Sequence, residues 1–158
     1  MNNHMFRVAT INDVDLILTF IKELATYEKM LDEVTATTES LKEWLFEKKA
    51  AEVMFVIDDD IEVGYAIYFY NFSTFTGKAG LYIEDLYVKP DYRSKGYGKA
   101  ILKELAKIAS DTGCERMEWV CLDWNKPSID FYLSIKAKPL KNWTIFRLDK
   151  ADIIDLAK

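Results

Sequence analysis

Apolar residues recur at helical spacing in four stretches of this chain, and runs rich in β-branched and aromatic residues lie between them. The first helical stretch covers residues 14–30, where Val14, Ile17, Leu18, Ile21, Leu24 and Ala25 share a face, with Thr10 and Asn12 before it as candidate caps. Residues 37–49 repeat the spacing with Leu41, Trp44 and Leu45. There Thr37 is followed three positions on by Ser40 instead of glutamate, so no capping box is expected. A third helix over 99–113 aligns Ile101, Leu105, Ile108 and Ala109 and stops at Gly113. The fourth, over 126–136, has Pro127 in its first turn. Strands are expected at 6–10, 51–57, 62–72, 80–88, 116–124 and 143–149, with a polar tail after the last. The acidic run 58–60 reads as a hairpin turn and not as a metal site. The resulting order, β-α-α-β-β-β-α-β-α-β, predicts an α/β fold built on a mixed sheet with helices on both faces. No linker, repeat or low-complexity segment interrupts it, so a single domain over residues 1–158 is expected.

Composition narrows the chemistry. With 158 residues, 50% hydrophobic and 30% charged, the chain is of globular type. A net charge of -5 argues against a nucleic-acid partner and suits a cationic substrate. Cys114 and Cys121 lack CxxC spacing and His4 is the only histidine, so neither a zinc site nor a histidine-dependent nucleophile is expected, and no metal is assigned. No leader pattern opens the chain and no apolar run approaches the roughly 18 residues a bilayer span needs, so a cytoplasmic protein with free thiols and no membrane partner is expected.

The stretch "YVKPDYRSKGYGKA", residues 87–100, holds two of the chain's 6 glycines between a strand and a helix, beside Arg93, Lys95 and Lys99. Unpaired amides at a helix start, missing Cβ atoms and nearby cations together make a cradle for a diphosphate. It is not a Walker loop, which needs GxxxxGK[ST], and it lacks the third glycine of a dinucleotide fingerprint. Read as Arg-x-x-Gly-x-Gly, "RSKGYG" resembles the acyl-CoA pyrophosphate loop of the GNAT superfamily of N-acetyltransferases. Three further blocks, "IKELATYEKM" (21–30), "GLYIEDLYVKPDYR" (80–93) and "WNKPSIDFY" (124–132), resemble its diamine and thialysine branch, the spermidine/spermine type, in the same order. Two positions depart from that pattern: Ser94 and Lys136 stand where relatives commonly carry glycine.

The resemblance implies a mostly antiparallel sheet with a central β-bulge and splayed fourth and fifth strands. It implies acetyl-CoA as co-substrate, with Arg93, Ser94, Lys95, Gly96, Tyr97, Gly98 and Lys99 around the diphosphate. Leu86 and Val88 would offer main-chain partners to the pantetheine arm, and Asn125 its side-chain amide, although an Asn before a helix is equally an N-cap. Tyr132 matches the tyrosine that protonates the departing thiolate. Glu84 and Asp85 are neighbours on a strand and point to opposite faces unless the strand bulges, which this family's strand commonly does. Glu84 is then the candidate base, acting through a water, and Asp85 holds the cationic substrate or the local backbone. Tyr27 and Glu28 match substrate-side positions.

An alkyl amine arrives protonated and must lose a proton before it attacks, which is work for such carboxylates. The function expected is therefore transfer of acetyl from acetyl-CoA to a primary amine of a polyamine, diamine or thialysine-like amino acid, with no covalent enzyme intermediate. A peptide N-terminus or lysine as acceptor, and an acyl-CoA sensor without turnover, are the alternatives. Relatives of this branch form dimers, and Phe69, Tyr70, Phe72 and Phe75 are candidate contact residues for a homodimer.

Overall fold

The computed structural model describes residues 5–158, and His4 lies outside the described residues. Two compact units divide at Val120 and Cys121. The first begins with strand β1 (Phe6–Val8). Thr10 starts a single 3-10 turn and Asp13 caps helix α1 (Val14–Tyr27), its carboxylate accepting from the Thr10 N–H at 2.7 Å. The helix ends at Tyr27, three residues short of the predicted span. Lys29 takes a left-handed conformation, φ 63°, and the Met30 N–H turns back to the Ala25 carbonyl at 2.8 Å.

Helix α2 (Thr38–Leu41) runs into a π-helical turn over Lys42–Glu47. The capping box that the sequence did not predict does form. The Ser40 N–H donates to Thr37 Oγ1 at 3.1 Å and the Thr37 N–H to Ser40 Oγ at 3.0 Å, a serine hydroxyl accepting where glutamate usually does.

Strands β2 (Glu52–Asp58), β3 (Ile61–Ser73) and β4 (Lys78–Val88) form an antiparallel meander. Asp59 and Asp60, φ 47° and 61°, make the two-residue turn between β2 and β3, a conformation that matches the twist of the flanking strands. Helix α3 (Tyr97–Asp111) crosses over to β5 (Met117–Trp119), which lies parallel to β4 and completes the order β1-β2-β3-β4-β5. Both faces of the sheet are covered. Ile17 and Phe20 of α1 bury against Val53, Phe55, Tyr65, Ile67 and Tyr87, while Met54 and Val56 alternate to the other face. Helix α3 packs on β3 and β4 through its own buried residues, Ile101 and Leu105 among them.

The second unit holds helix α4 (Lys126–Ser134), with Pro127 in its first turn, and helix α5 (Lys150–Leu156). Two strand expectations need correction. The strand expected over 116–124 is three residues long, and the one expected over 143–149 does not form; the tail beyond it folds as α5 instead. Aromatic and β-branched residues favour a strand only where a neighbour supplies the ladder. Among the described residues no helix is long and apolar enough to cross a membrane.

Candidate active site

The site begins with one extra residue in β4. Ile67 faces Asp85 across the ladder and Tyr68 faces Ile83, so Glu84 is the extra residue of β4 at that step of the register. This is the bulge that the neighbouring Glu84 and Asp85 required. It also explains the splay: β5 pairs with Leu81, Tyr82 and Ile83 and goes no further, so β4 continues to Val88 with one edge unpaired by β5. The Lys89 N–H donates to the Val63 carbonyl at 2.8 Å, which fixes the alternation along the strand and turns the main-chain groups of Leu86 and Val88 toward that open edge.

Beyond β4 the chain makes one 3-10 turn, Pro90–Tyr92, and then the glycine loop. Arg93 does not simply project from it. Its Nε donates to the Val88 carbonyl at 2.9 Å, and its guanidinium lies 4.8 Å from the Tyr27 ring centroid and 5.3 Å from that of Tyr87. Arg93 thus ties the loop to the end of β4 and to the end of α1. Ser94 and Gly96 both take positive φ, 61° and 88°, and the first bond within α3 runs from the Ala100 N–H to the Gly96 carbonyl at 3.0 Å. The amides of Tyr97, Gly98 and Lys99 precede that bond and have no partner within the helix. A Cβ added at Gly96 or Gly98 would meet no atom within 4 Å, so the backbone there is open to a close approach. Lys95 lies with its Nζ 5.4 Å from the Tyr92 ring centroid, and the Tyr97 hydroxyl is engaged by Asp58 at the end of β2. These groups fit a diphosphate: amides, a helix start and cations around open backbone.

The carboxylates gather on the side facing α1. Asp85 accepts a hydrogen bond from the Tyr65 hydroxyl. Burial raises the Asp85 carboxyl above its usual range, and the Tyr65 bond opposes that rise. Glu28, the C-terminal cap of α1, is raised first by burial and then by the charges of Asp85 and Glu84. Burial, followed by the Asp85 charge, pushes the Tyr65 phenol well above its usual value. Glu28 therefore senses both Glu84 and Asp85, and the ring of the preceding Tyr27 lies under the Arg93 guanidinium. Among the described residues no group of three or more histidine, cysteine, aspartate or glutamate side chains could hold a metal ion.

Asn125 and Tyr132 belong to the second unit. The buried Asn125 caps α4, its Oδ1 accepting from the Ser128 N–H at 3.5 Å, and Tyr132 sits in that helix with its ring 5.8 Å from that of Phe131. Sequence reasoning missed Tyr65 and the clamp made by Arg93. Only the register of β3 against a bulged β4 puts residue 65 beside residue 85, and no local pattern encodes it.

A bulged central strand, an open edge beside its short parallel neighbour and a glycine loop leading into α3 together define the fold of an acetyltransferase. The chain matches the Acetyltransferase (GNAT) family over residues 18–135 and belongs to it. It is 36% identical to the thialysine N-epsilon-acetyltransferase of Sus scrofa over 99% of both chains. It is 35% identical to the spermidine/spermine N(1)-acetyltransferase-like protein 1 of Homo sapiens, over 99% of this chain and 24% of that protein. Among solved structures, an integron cassette protein from the mobile metagenome of V. cholerae superimposes with a TM-score of 0.80 at 27% identity, covering 97% of this chain and 96% of that one. The chain is an acetyltransferase.

Proposed function

We propose that this enzyme moves acetyl from acetyl-CoA to a primary amine of a small cationic acceptor: a polyamine, a diamine or a thialysine-like amino acid. One observation carries the reading, the convergence of Glu28, Glu84 and Asp85 beside the bulge of β4, an acidic group suited to an alkyl ammonium. The similarity to thialysine and spermidine/spermine-type proteins supports the same acceptor class.

Acetyl-CoA supplies a thioester carbonyl. Around its diphosphate stand the amides of Tyr97, Gly98 and Lys99, the left-handed Ser94 and Gly96, and the cations Lys95 and Lys99. Arg93 braces that loop from below through Val88 and Tyr27. The Leu86 and Val88 main chain is suited to the pantetheine arm, and Asn125 to its amides. Asp85, Glu28 and Tyr27 hold the ammonium. Glu84 takes its proton, through a water, so that a neutral amine attacks the carbonyl directly. Tyr132 gives a proton to the departing sulfur, and no acyl-enzyme forms.

Both units serve one acetyltransferase domain in this reading, which the family match across residue 120 supports. A cytoplasmic setting fits Cys114 and Cys121, which form no disulfide. Tyr70, Phe72 and Phe75 stand exposed, Phe75 at 97%, and suit a contact between two copies, whereas Phe69 packs on Tyr82 with ring centroids 5.0 Å apart.

The test is CoA release from acetyl-CoA across a panel of diamines, polyamines, lysine-like amino acids and peptides. Small diamines or lysine-like amines should turn over and peptides should not; preference for peptides would reject the acceptor class. Glu84→Gln should lose activity most at low pH, where more of the amine is protonated, and Tyr132→Phe should lower kcat by on the order of 100-fold with CoA affinity unchanged.

A further inference from the structure

We propose that Tyr65 is a positioning residue for the acceptor: its buried hydroxyl, donating to Asp85, fixes the carboxylate that meets the cationic amine. The inference rests on the acidic-site reading above and adds a residue that does not itself touch substrate.

Tyr65 is 0% exposed and sits in the apolar cluster of Ile17, Phe20, Val53, Phe55, Ile67 and Tyr87, stacked on Phe20 with ring centroids 5.0 Å apart. A phenylalanine would fill that space without burying a hydroxyl, which is costly unless bonded. The oxygen therefore needs a reason, and its partner is Asp85. The register explains how they meet. Tyr65 opposes Tyr87 and Ile67 opposes Asp85, so residues 65, 67, 85 and 87 share one face, with the bulge just before Asp85. The bond engages Asp85 through Oδ2. The groups around Asp85 are Tyr65 from β3, Glu84 on its own strand and Glu28 from the end of α1, which feels the charges of both Asp85 and Glu84; burial disfavours the Asp85 charge and the bond from the phenol favours it.

Steady-state kinetics and pH profiles of Tyr65→Phe, Asp85→Asn and the double variant test this. Tyr65→Phe should raise KM for the amine on the order of tenfold, the worth of a buried hydrogen bond to a charged group, with CoA affinity unchanged. The acid limb of kcat/KM should move to higher pH, because losing a bond to the ionised carboxylate favours its protonation. In the Asp85→Asn background, Tyr65→Phe should add nothing. An unchanged KM with a superimposable pH profile, or an effect that persists undiminished in the double variant, would overturn the proposal. If Asp85→Asn raises KM while Tyr65→Phe does not, the proposal fails alone; if Asp85→Asn leaves KM unchanged, it falls with the acidic-site reading. Should Tyr65→Phe fail to fold, fluorotyrosine at position 65, a stronger donor of nearly the same shape, should move the acid limb to lower pH, and an immobile limb would overturn the idea.

Discussion

Ser94 and Lys136 share a conformation that neither residue type favours. Both have positive φ, 61° and 72°, and both are positions where the sequence resemblance led glycine to be expected. A side chain in the left-handed region costs about 1–2 kcal/mol, partly offset by the greater freedom glycine regains on unfolding. Ser94→Gly and Lys136→Gly should therefore each raise the unfolding midpoint, by no more than about 2–4 °C, as measured by scanning calorimetry. At this scale the sequence named the positions through the missing glycines, but the backbone angle that makes them costly is visible only in the fold. Phe20 shows the same limit: it is fully buried at the centre of the core, yet it was absent from the periodic set over residues 14–30.

Among elements, helices were the more legible, since their apolar faces repeat within a few turns of one chain segment. Helix α3 begins and ends close to where spacing and Gly113 placed it, and α1 errs only at its C-terminus, where Lys29 turns left-handed. Strands depend on partners. β5 stops at Trp119 because β4 bulges at the residue after Ile83, its partner, and no pattern within 116–124 announces that. The loop before α3 offers a clean test. Gly96 needs its positive φ, so Val there disturbs the protein itself, whereas a side chain at Gly98 meets nothing nearby. Gly98→Val should keep the wild-type unfolding midpoint yet weaken CoA binding by on the order of 100-fold in a calorimetric titration, through lost approach to the amides. Undiminished affinity would dismiss the loop as the diphosphate site.

Across the first unit, Arg7 ties three elements together. From β1 it reaches Asp13 before α1 at 2.8 and 3.0 Å and Glu62 of β3 at 2.7 Å, with its guanidinium 4.8 Å from the Phe55 ring centroid. The Arg7 hydrogen bonds hold the Asp13 carboxyl below its usual value of 3.8. A depressed carboxylate contributes stability above its unfolded value and loses it as pH falls through the folded one. Arg7→Met should thus cost about 1–2 kcal/mol at pH 7 in urea unfolding, discounted for partial exposure, and the deficit should shrink below about pH 4. An equal deficit at both pH values would mean that packing on Phe55, and not charge, is what Arg7 contributes. The sequence by itself determined the element types as far as the fourth helix, the glycine loop and the acetyltransferase family, because helical periodicity, turn residues and motif spacing are local properties of a chain; beyond residue 142 it misled, and a helix stands where a polar tail was expected. Tertiary structure alone decided that Glu84 occupies a bulge, that β5 ends at Trp119, that Arg93 clasps Val88 and that Tyr65 holds Asp85. Each of these is a pairing between distant segments, and it exists only once strand register brings their side chains to the same face.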